Sequence, residues 1–273
     1  MKKFNVGTCV YLREDPEESF KATKDMGINS IQLLSWEPKI QTDEVAAKVN
    51  AAKEKYDMEI SAFWCGWTGP CIWNFYEGQA TLGLVPPVFR DHRLNELIHG
   101  SEFAEKIGVN NIVTHVGFMP ENPFEQNYRD LITVLRHYCE LLKSKGQRFL
   151  FETGQETPVT LLRAIEDIGT GNVGVNLDTA NLILYGKANP VDAVRVLGKY
   201  VWQMHCKDGV YPTDGKNLGL EKKIGEGLVD FPKIISMLRE LDYPGTLTIE
   251  REIAPGAEQT KDILEAKEYL ESL

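Results

Sequence analysis

The chain has 273 residues, 42% of them hydrophobic and 26% charged, with a net charge of −10 and an isoelectric point near 5.1. So acidic a balance supplies no overall basic face to displace counterions from phosphates, which argues against nucleic acid and anionic membranes as partners. Five cysteines (Cys9, Cys65, Cys71, Cys139 and Cys206) are odd in number and fit no zinc-knuckle spacing, so they read as reduced thiols rather than a disulfide framework.

The N-terminal stretch MKKFNVGTCVYLRED opens with two lysines, and its apolar run soon meets Arg13, Glu14 and Asp15. That run is too short for a signal-peptide core, and no span of about 18 apolar residues occurs anywhere, so a cytoplasmic location is expected. From there, runs rich in β-formers alternate with stretches of helical period. A strand is predicted at 4–12 and a helix at 16–26, then a strand at 30–36 and a helix at 43–56. The next pairs are 59–66 with 91–107, and 111–117 with 124–145. The second half continues with 148–153 and 157–168, 173–179 and 189–199, 201–207 and 230–240, and 246–250 with 258–272. Gly27, Gly108, Gly146 and Gly169 stand where helices should end, as residues that accept the left-handed conformation without penalty.

A strand–helix unit repeated eight times reads as a (β/α)8 TIM barrel, one domain over residues 1–273. A doubly wound open sheet is the alternative, but its glycine-rich first turn is missing: the sequence there is YLREDPEES. Two connections are long, 66–90 and 208–229, and both follow a strand, which puts them on the C-terminal face where barrel enzymes keep their active sites. The first carries Trp67, Trp73, Phe75 and Tyr76 and is expected to act as a substrate lid; the alternative is a loop packed on the barrel or on a second copy.

The polar residues at the later strand ends form a pattern. Glu152 ends strand 5, Asp178 strand 6 and Glu250 strand 8, with His205 near the end of strand 7, at separations of 26, 27 and 45 residues. Each has an ordinary explanation: Asp178 as a helix cap, Glu152 paired with Lys207, His205 as a core histidine, Glu250 as a surface residue beside Arg251 and Glu252. Four successive strands offering one metal-competent group each favour a joint role. Three carboxylates would repel one another unless a cation neutralised them, and three oxygens with one imidazole suit Mn²⁺ first, then Co²⁺, Mg²⁺ or Zn²⁺.

Around these, Lys207 lies two residues from His205 and so on the same side of its strand, where it would hold a substrate oxygen or form a salt bridge to Glu152 or Asp208. His115 ends strand 4 and would touch substrate or orient Glu152. Gln155 and Glu156 begin the loop after strand 5 as candidate hydroxyl binders. Trp36, Trp64 and Trp67 stand at or just past strand ends, where rings stack on sugar faces or simply pack.

At these residues the chain resembles the sugar phosphate isomerase/epimerase family of xylose isomerase-like barrels. The likeness rests on the Glu of FLFETGQETP, the Asp of VNLDTAN, MHCKDG, IGEGLVDF at 224–231 and the final Glu of YPGTLTIE. It implies one divalent metal on Glu152, Asp178, His205 and Glu250, and likeness to the ketose 3-epimerases implies that Glu152 and Glu250 are also the acid–base pair. The chain departs from relatives with a histidine three residues after the strand-6 aspartate, having Asn181 there, which becomes a candidate substrate contact. It also has Tyr211 and Pro158 where ketohexose 3-epimerases carry a substrate-binding arginine and a glutamate, so that subfamily's sugar shell is not reproduced. The expected activity is metal-dependent isomerisation or epimerisation of a carbohydrate or sugar phosphate, through proton abstraction beside a carbonyl and a metal-bound enediolate. The alternatives are a lyase of the same fold, an inosose-type dehydratase or a 3-keto-glycoside eliminase, and a non-catalytic sugar-binding barrel. A small-molecule sugar or keto-sugar is the expected partner, and a homo-oligomer is left open.

Overall fold

Eight parallel strands close on themselves in the computed structural model, which describes residues 3–273. Met1 and Lys2, part of the stretch read for targeting, lie outside the described residues. The barrel strands are β1 (Val6–Tyr11), β2 (Ser30–Ser35), β3 (Glu59–Cys65), β4 (Asn111–Thr114), β5 (Arg148–Glu152), β6 (Val173–Asp178), β7 (Val201–Cys206) and β10 (Leu247–Ile249). Around the ring the order is β1-β10-β7-β6-β5-β4-β3-β2. β2 and β6 are buried along their whole length, as expected of strands covered on both faces.

The covering helices are α1 (Glu17–Asp25), α2 (Asp43–Lys55), α4 (Pro87–Lys106), α5 (Gln126–Ser144), α6 (Pro158–Ile168), α8 (Pro190–Leu197), α9 (Phe231–Glu240) and α10 (Ala257–Ser272). Each overlaps a helix expected from the sequence. Side-chain caps begin several of them: Thr42 accepts from Val45 N, Thr157 from Thr160 N, and Asp230 from Lys233 N. Gly27, Gly108, Gly146 and Gly169 have φ of 69°, 72°, 70° and 68°, which is why glycine closes these turns. The helix expected at 91 begins four residues earlier, where Pro87 supplies a ready-made first turn.

The differences lie in the connections. β4 stops at Thr114 rather than 117, because the loop returning from β3 takes over the next carbonyl: Leu84 N and Val85 N both donate to Val116 O, at 2.8 and 3.0 Å. Two short helices, α3 (Gly78–Thr81) and α7 (Thr179–Leu184), sit in loops. The 208–229 connection contains an antiparallel hairpin of β8 (Asp208–Val210) and β9 (Leu220–Lys222). Asp208 clasps that connection, accepting from the backbone N–H of Gly209, Gly225, Gly227 and Val229 at 2.8–3.1 Å. The glycines of IGEGLVDF fit this clasp for two reasons: a Cβ on Gly227 would run into the Asp208 carboxylate, and Gly225 has a φ of 90°. The strand register slips twice, between Ile31 and Gln32 against β3 and between Val175 and Asn176 against β7. Among the described residues no helix is long and apolar enough to cross a membrane.

Candidate functional site

Glu152 ends β5, Asp178 ends β6, His205 is next to last in β7 and Glu250 follows β10. These strands are consecutive around the ring, so their ends form one arc, and Asp178 is directly in register with His205. One ligand atom from each of the four buried residues lies within 4.8 Å of the other three. His205 Nδ1 is the hub: it stands 3.0 Å from Glu152 Oε1, 3.3 Å from Glu250 Oε2 and 3.9 Å from Asp178 Oδ2.

Asp178 is both a cap and a member of the cluster. Its Oδ1 accepts from Asn181 N at 2.7 Å and starts α7, while its fully buried Oδ2 accepts no hydrogen bond and stands among the site's charged groups. Leaving a buried acceptor unsatisfied costs about 1–3 kcal/mol. Burial, reinforced by the negative Glu250 and Glu152 against the pull of Lys207, pushes the Asp178 carboxyl well above the usual carboxylate range. Burial works the same way on Glu250, but Lys207 and His205 overcome it and hold that carboxylate well below the range. Burial opposes charge on His205 too, yet the Cys9 thiol and the Glu250 and Glu152 carboxylates around it raise it well above the ordinary histidine value. The cluster is therefore short of positive charge and retains protons to make up for it. Three carboxylate oxygens and one imidazole nitrogen, with one oxygen unpartnered, are a donor set that fits a divalent cation of intermediate hardness.

Lys207 is fully buried and turned to the β10 side. Its Nζ lies 3.2 Å from Glu250 Oε2, 3.8 Å from Asp178 Oδ2 and 3.4 Å from Asn181 Oδ1, and it also bonds Glu252. The salt bridges weighed for it, to Glu152 or Asp208, are not the ones it makes: Glu152 receives the indole N–H of Trp64, and Asp208 is committed to the loop backbone. His115 Nε2 stands 3.6 Å from Glu152 Oε2, and its buried Nδ1 has no hydrogen-bond partner.

A cavity of about 300 Å³ opens above the cluster, at the small end of ligand pockets. Glu152, Glu250, Lys207, His115, Trp36, Trp64 and Asn181 reach its wall. Asp178 and His205 are buried without lining it, and three candidate substrate contacts do not reach it either. Trp67 is buried behind Trp36 and Trp64, at ring distances of 5.4 and 6.2 Å, with Arg93 stacked on it. Gln155 is buried and donates to Tyr185 Oη at 3.0 Å, without lining the cavity itself. Glu156 is buried outside the cavity, and burial pushes its carboxyl up to about 8.

The structure adds wall residues that sequence reading passed over: Tyr11 at the end of β1, Tyr185 after α7, and Glu252, two residues past Glu250. A polar or aromatic residue at a strand end was the available signal for Tyr11. Glu252 repeats the same-side spacing by which Lys207 follows His205.

The 66–90 connection is firmly seated at its base. Fully buried Arg93 donates to the carbonyls of Pro70, Thr81 and Gly83 at 2.7–2.8 Å, and Arg90 to those of Leu84 and Val85. Only the tip faces the site: Trp73 lines the cavity 5.3 Å from the His115 ring, and Phe75 N donates to Lys216 O of the other long connection at 2.9 Å.

Comparison with known proteins agrees with the fold. A D-tagatose 3-epimerase-like protein shares the fold at 19% identity and a TM-score of 0.77, covering 98% of this chain and 96% of that one. The probable 3-DHS dehydratase AsbF, involved in petrobactin synthesis in Bacillus anthracis, shares it at 18% identity and 0.70, covering 97% and 98%. A xylose isomerase domain protein from Planctomyces limnophilus is 32% identical over 99% of this chain and 97% of its own, with a TM-score of 0.93. Residues 20–273 match the family described as xylose isomerase-like TIM barrel, and it is to this family that the chain belongs.

Proposed function

We propose that the protein is a metal-dependent isomerase or epimerase of a small carbohydrate, working by proton abstraction beside a carbonyl. One observation carries the reading: Glu152 and Glu250, from the two outer strands of the arc, both reach His205 Nδ1 and both line the cavity. A divalent cation held by Glu152, Asp178, His205 and Glu250 would supply a Lewis acid for a 2-hydroxy ketone. The chain's own groups do the proton work. One glutamate takes the C–H proton, the electron pair moves onto the carbonyl oxygen, and the resulting enediolate is reprotonated by the other glutamate. Return to the opposite face gives an epimer; return to the neighbouring carbon gives an aldose–ketose pair. Lys207 keeps Glu250 ionised and presents an N–H to a substrate oxygen, while Trp36, Trp64 and Trp73 exclude water from the enediolate.

The wall also bears on phosphate. Among the described residues its carboxylates are Glu152, Glu250 and Glu252, it contains no arginine, and its one lysine is already held by acids. A dianion would enter against net negative charge, so the reading is a free sugar rather than its phosphate.

Elimination is the second reading, and Glu252 favours it. Its carboxylate is 52% exposed at the rim and bonded to the Lys207 ammonium, a third carboxylate that two-base epimerisation does not require, beside a lysine proton that could pass to a leaving group. Ketoses, keto-inositols and keto-glycosides incubated with Mn²⁺-loaded protein in D₂O test both. Deuterium in an isomeric product supports the first reading and an unsaturated product the second. Failure of every substrate to exchange, with cation bound, would leave a binding protein.

A further inference from the structure

We infer that Gln32 is a positioning residue: it holds the Nε2 proton of His205, so that Nδ1, facing Glu152, Asp178 and Glu250, is the nitrogen whose lone pair a cation takes. The inference rests on the cation site proposed above. Gln32 is fully buried in the middle of β2, an amide inside an otherwise apolar run. Its Oε1 lies 2.9 Å from His205 Nε2, and its Nε2 donates to Asn176 Oδ1 at 2.8 Å. A carboxamide presents its oxygen on one side and its NH₂ on the other. With the NH₂ given to Asn176, only the oxygen faces the imidazole, and an oxygen can only accept. Nε2 therefore keeps its hydrogen in every state, and Nδ1, 3.0 Å from Glu152 Oε1, is the nitrogen left for a cation to take as a ligand. Cys9 Sγ also approaches Nε2, but at 3.7 Å and as a weaker acceptor.

The backbone is shaped to build this chain. The barrel's register slips just before Gln32 and just before Asn176, leaving Ser61 and Trp202 out of the pairing. A bulge re-aims the side chains beside it, and here two of them serve one interior hydrogen-bond chain. The irregularities are themselves linked, since Gln203 Nε2 donates to Ser61 O at 3.3 Å. Buried amides are costly where apolar side chains would serve, so three of them inside one barrel call for a role.

The test uses the full chain with Gln32→Met, which keeps length and removes the acceptor, and Gln32→Glu, which restores one. Asn176 can turn its unpartnered Nδ2 toward that glutamate. Mn²⁺ dissociation constants should weaken about 10–100-fold in Gln32→Met and largely recover in Gln32→Glu. In Mg²⁺-loaded protein, ¹⁵N spectra of the histidines should show His205 protonated at Nε2. Should Gln32→Met not fold, Asn176→Leu, which releases the amide to turn, should weaken Mn²⁺ several-fold. Wild-type affinity in the variant that folds, or an Nδ1-protonated His205 in the loaded protein, overturns the inference and leaves the cation site standing. A wild-type protein that takes up neither Mn²⁺ nor Mg²⁺ overturns the cation site, and the role of Gln32 with it.

Discussion

From β5 round to β10 the strand ends carry three carboxylates, a histidine and a lysine; from β1 round to β4 they carry Tyr11, Trp36, Trp64 and His115. One barrel mouth is thus charged on one side and aromatic on the other. The halves meet at Glu152, which takes the Trp64 indole N–H and faces the His115 ring across 3.6 Å. The charged half can move protons but cannot keep water out. The aromatic half offers shape and a low dielectric, in which the charges opposite act more strongly. If this division is right, substitutions in the first half should abolish chemistry, and those in the second should change binding or stability instead.

The largest effect is expected from Asp178→Asn and Glu152→Gln. Both should lose bound cation, read by elemental analysis, and turnover should fall by about 10²–10⁴-fold or more, the share that acid–base work alone supplies. Full metal occupancy with wild-type turnover in Asp178→Asn would dissolve the charged half as a functional unit. Next is pH. Asp178 and His205 both hold protons above their ordinary pKa values, so a cation must displace them. Affinity should therefore rise with pH, by about tenfold per unit for each proton released, and calorimetry in buffers of differing ionisation enthalpy counts those protons. A pH-independent affinity would mean that the cluster is not where the cation sits.

Lys207→Met comes third. It removes a charged hydrogen-bond donor but no ligand, so metal should stay while turnover falls about 10–100-fold, the worth of one charge-assisted hydrogen bond. The aromatic half is probed by a pair. Trp73→Ala should raise KM several-fold with an unchanged melting temperature, because an aromatic contact is worth about 0.5–1.5 kcal/mol. Trp67→Ala should leave KM alone and cost about 3–5 kcal/mol of stability, as deletion of a buried indole does. The reverse result for the two tryptophans would move the cavity wall.

That pair also marks how far the sequence could be read. Glu152, Asp178 and Glu250 were legible because a carboxylate closing an apolar run has nowhere inexpensive to go. Trp67 and Trp73 were not separable, because a ring in a loop points wherever the loop is pinned. The pinning falls to Arg93, a charged residue that the fold buries completely, and no local pattern announces that burial. Capping and metal binding looked like alternatives for Asp178 because a sequence shows one residue, not two oxygens. Gln32, Asn176 and Gln203 were visible as amides inside apolar strands, but their meaning depends on register slips at Ser61 and Trp202 that no local pattern announces.

The smallest effect on activity is expected at Glu156, which the spacing after strand 5 made a candidate substrate contact. It lies on the charged side in sequence, four residues past Glu152, yet outside the cavity. Burial raises its carboxyl from 4.5 to about 8, against the smaller opposing pulls of a backbone hydrogen bond and of Lys187. The sign of its linkage follows. Between those two values the folded chain keeps a proton that the unfolded chain releases, so this group costs increasing stability as pH rises from 4.5 and reaches its full penalty above about 8. Glu156→Gln removes the ionisation. Its melting temperature should match wild type near pH 4, exceed it increasingly through neutrality, and level off above pH 8, with turnover unchanged throughout. Lost turnover with metal retained would return Glu156 to the site and widen the charged half beyond the arc of β5, β6, β7 and β10. A variant that melts below wild type at neutral pH would show that its proton is engaged in a hydrogen bond that a carboxamide cannot replace.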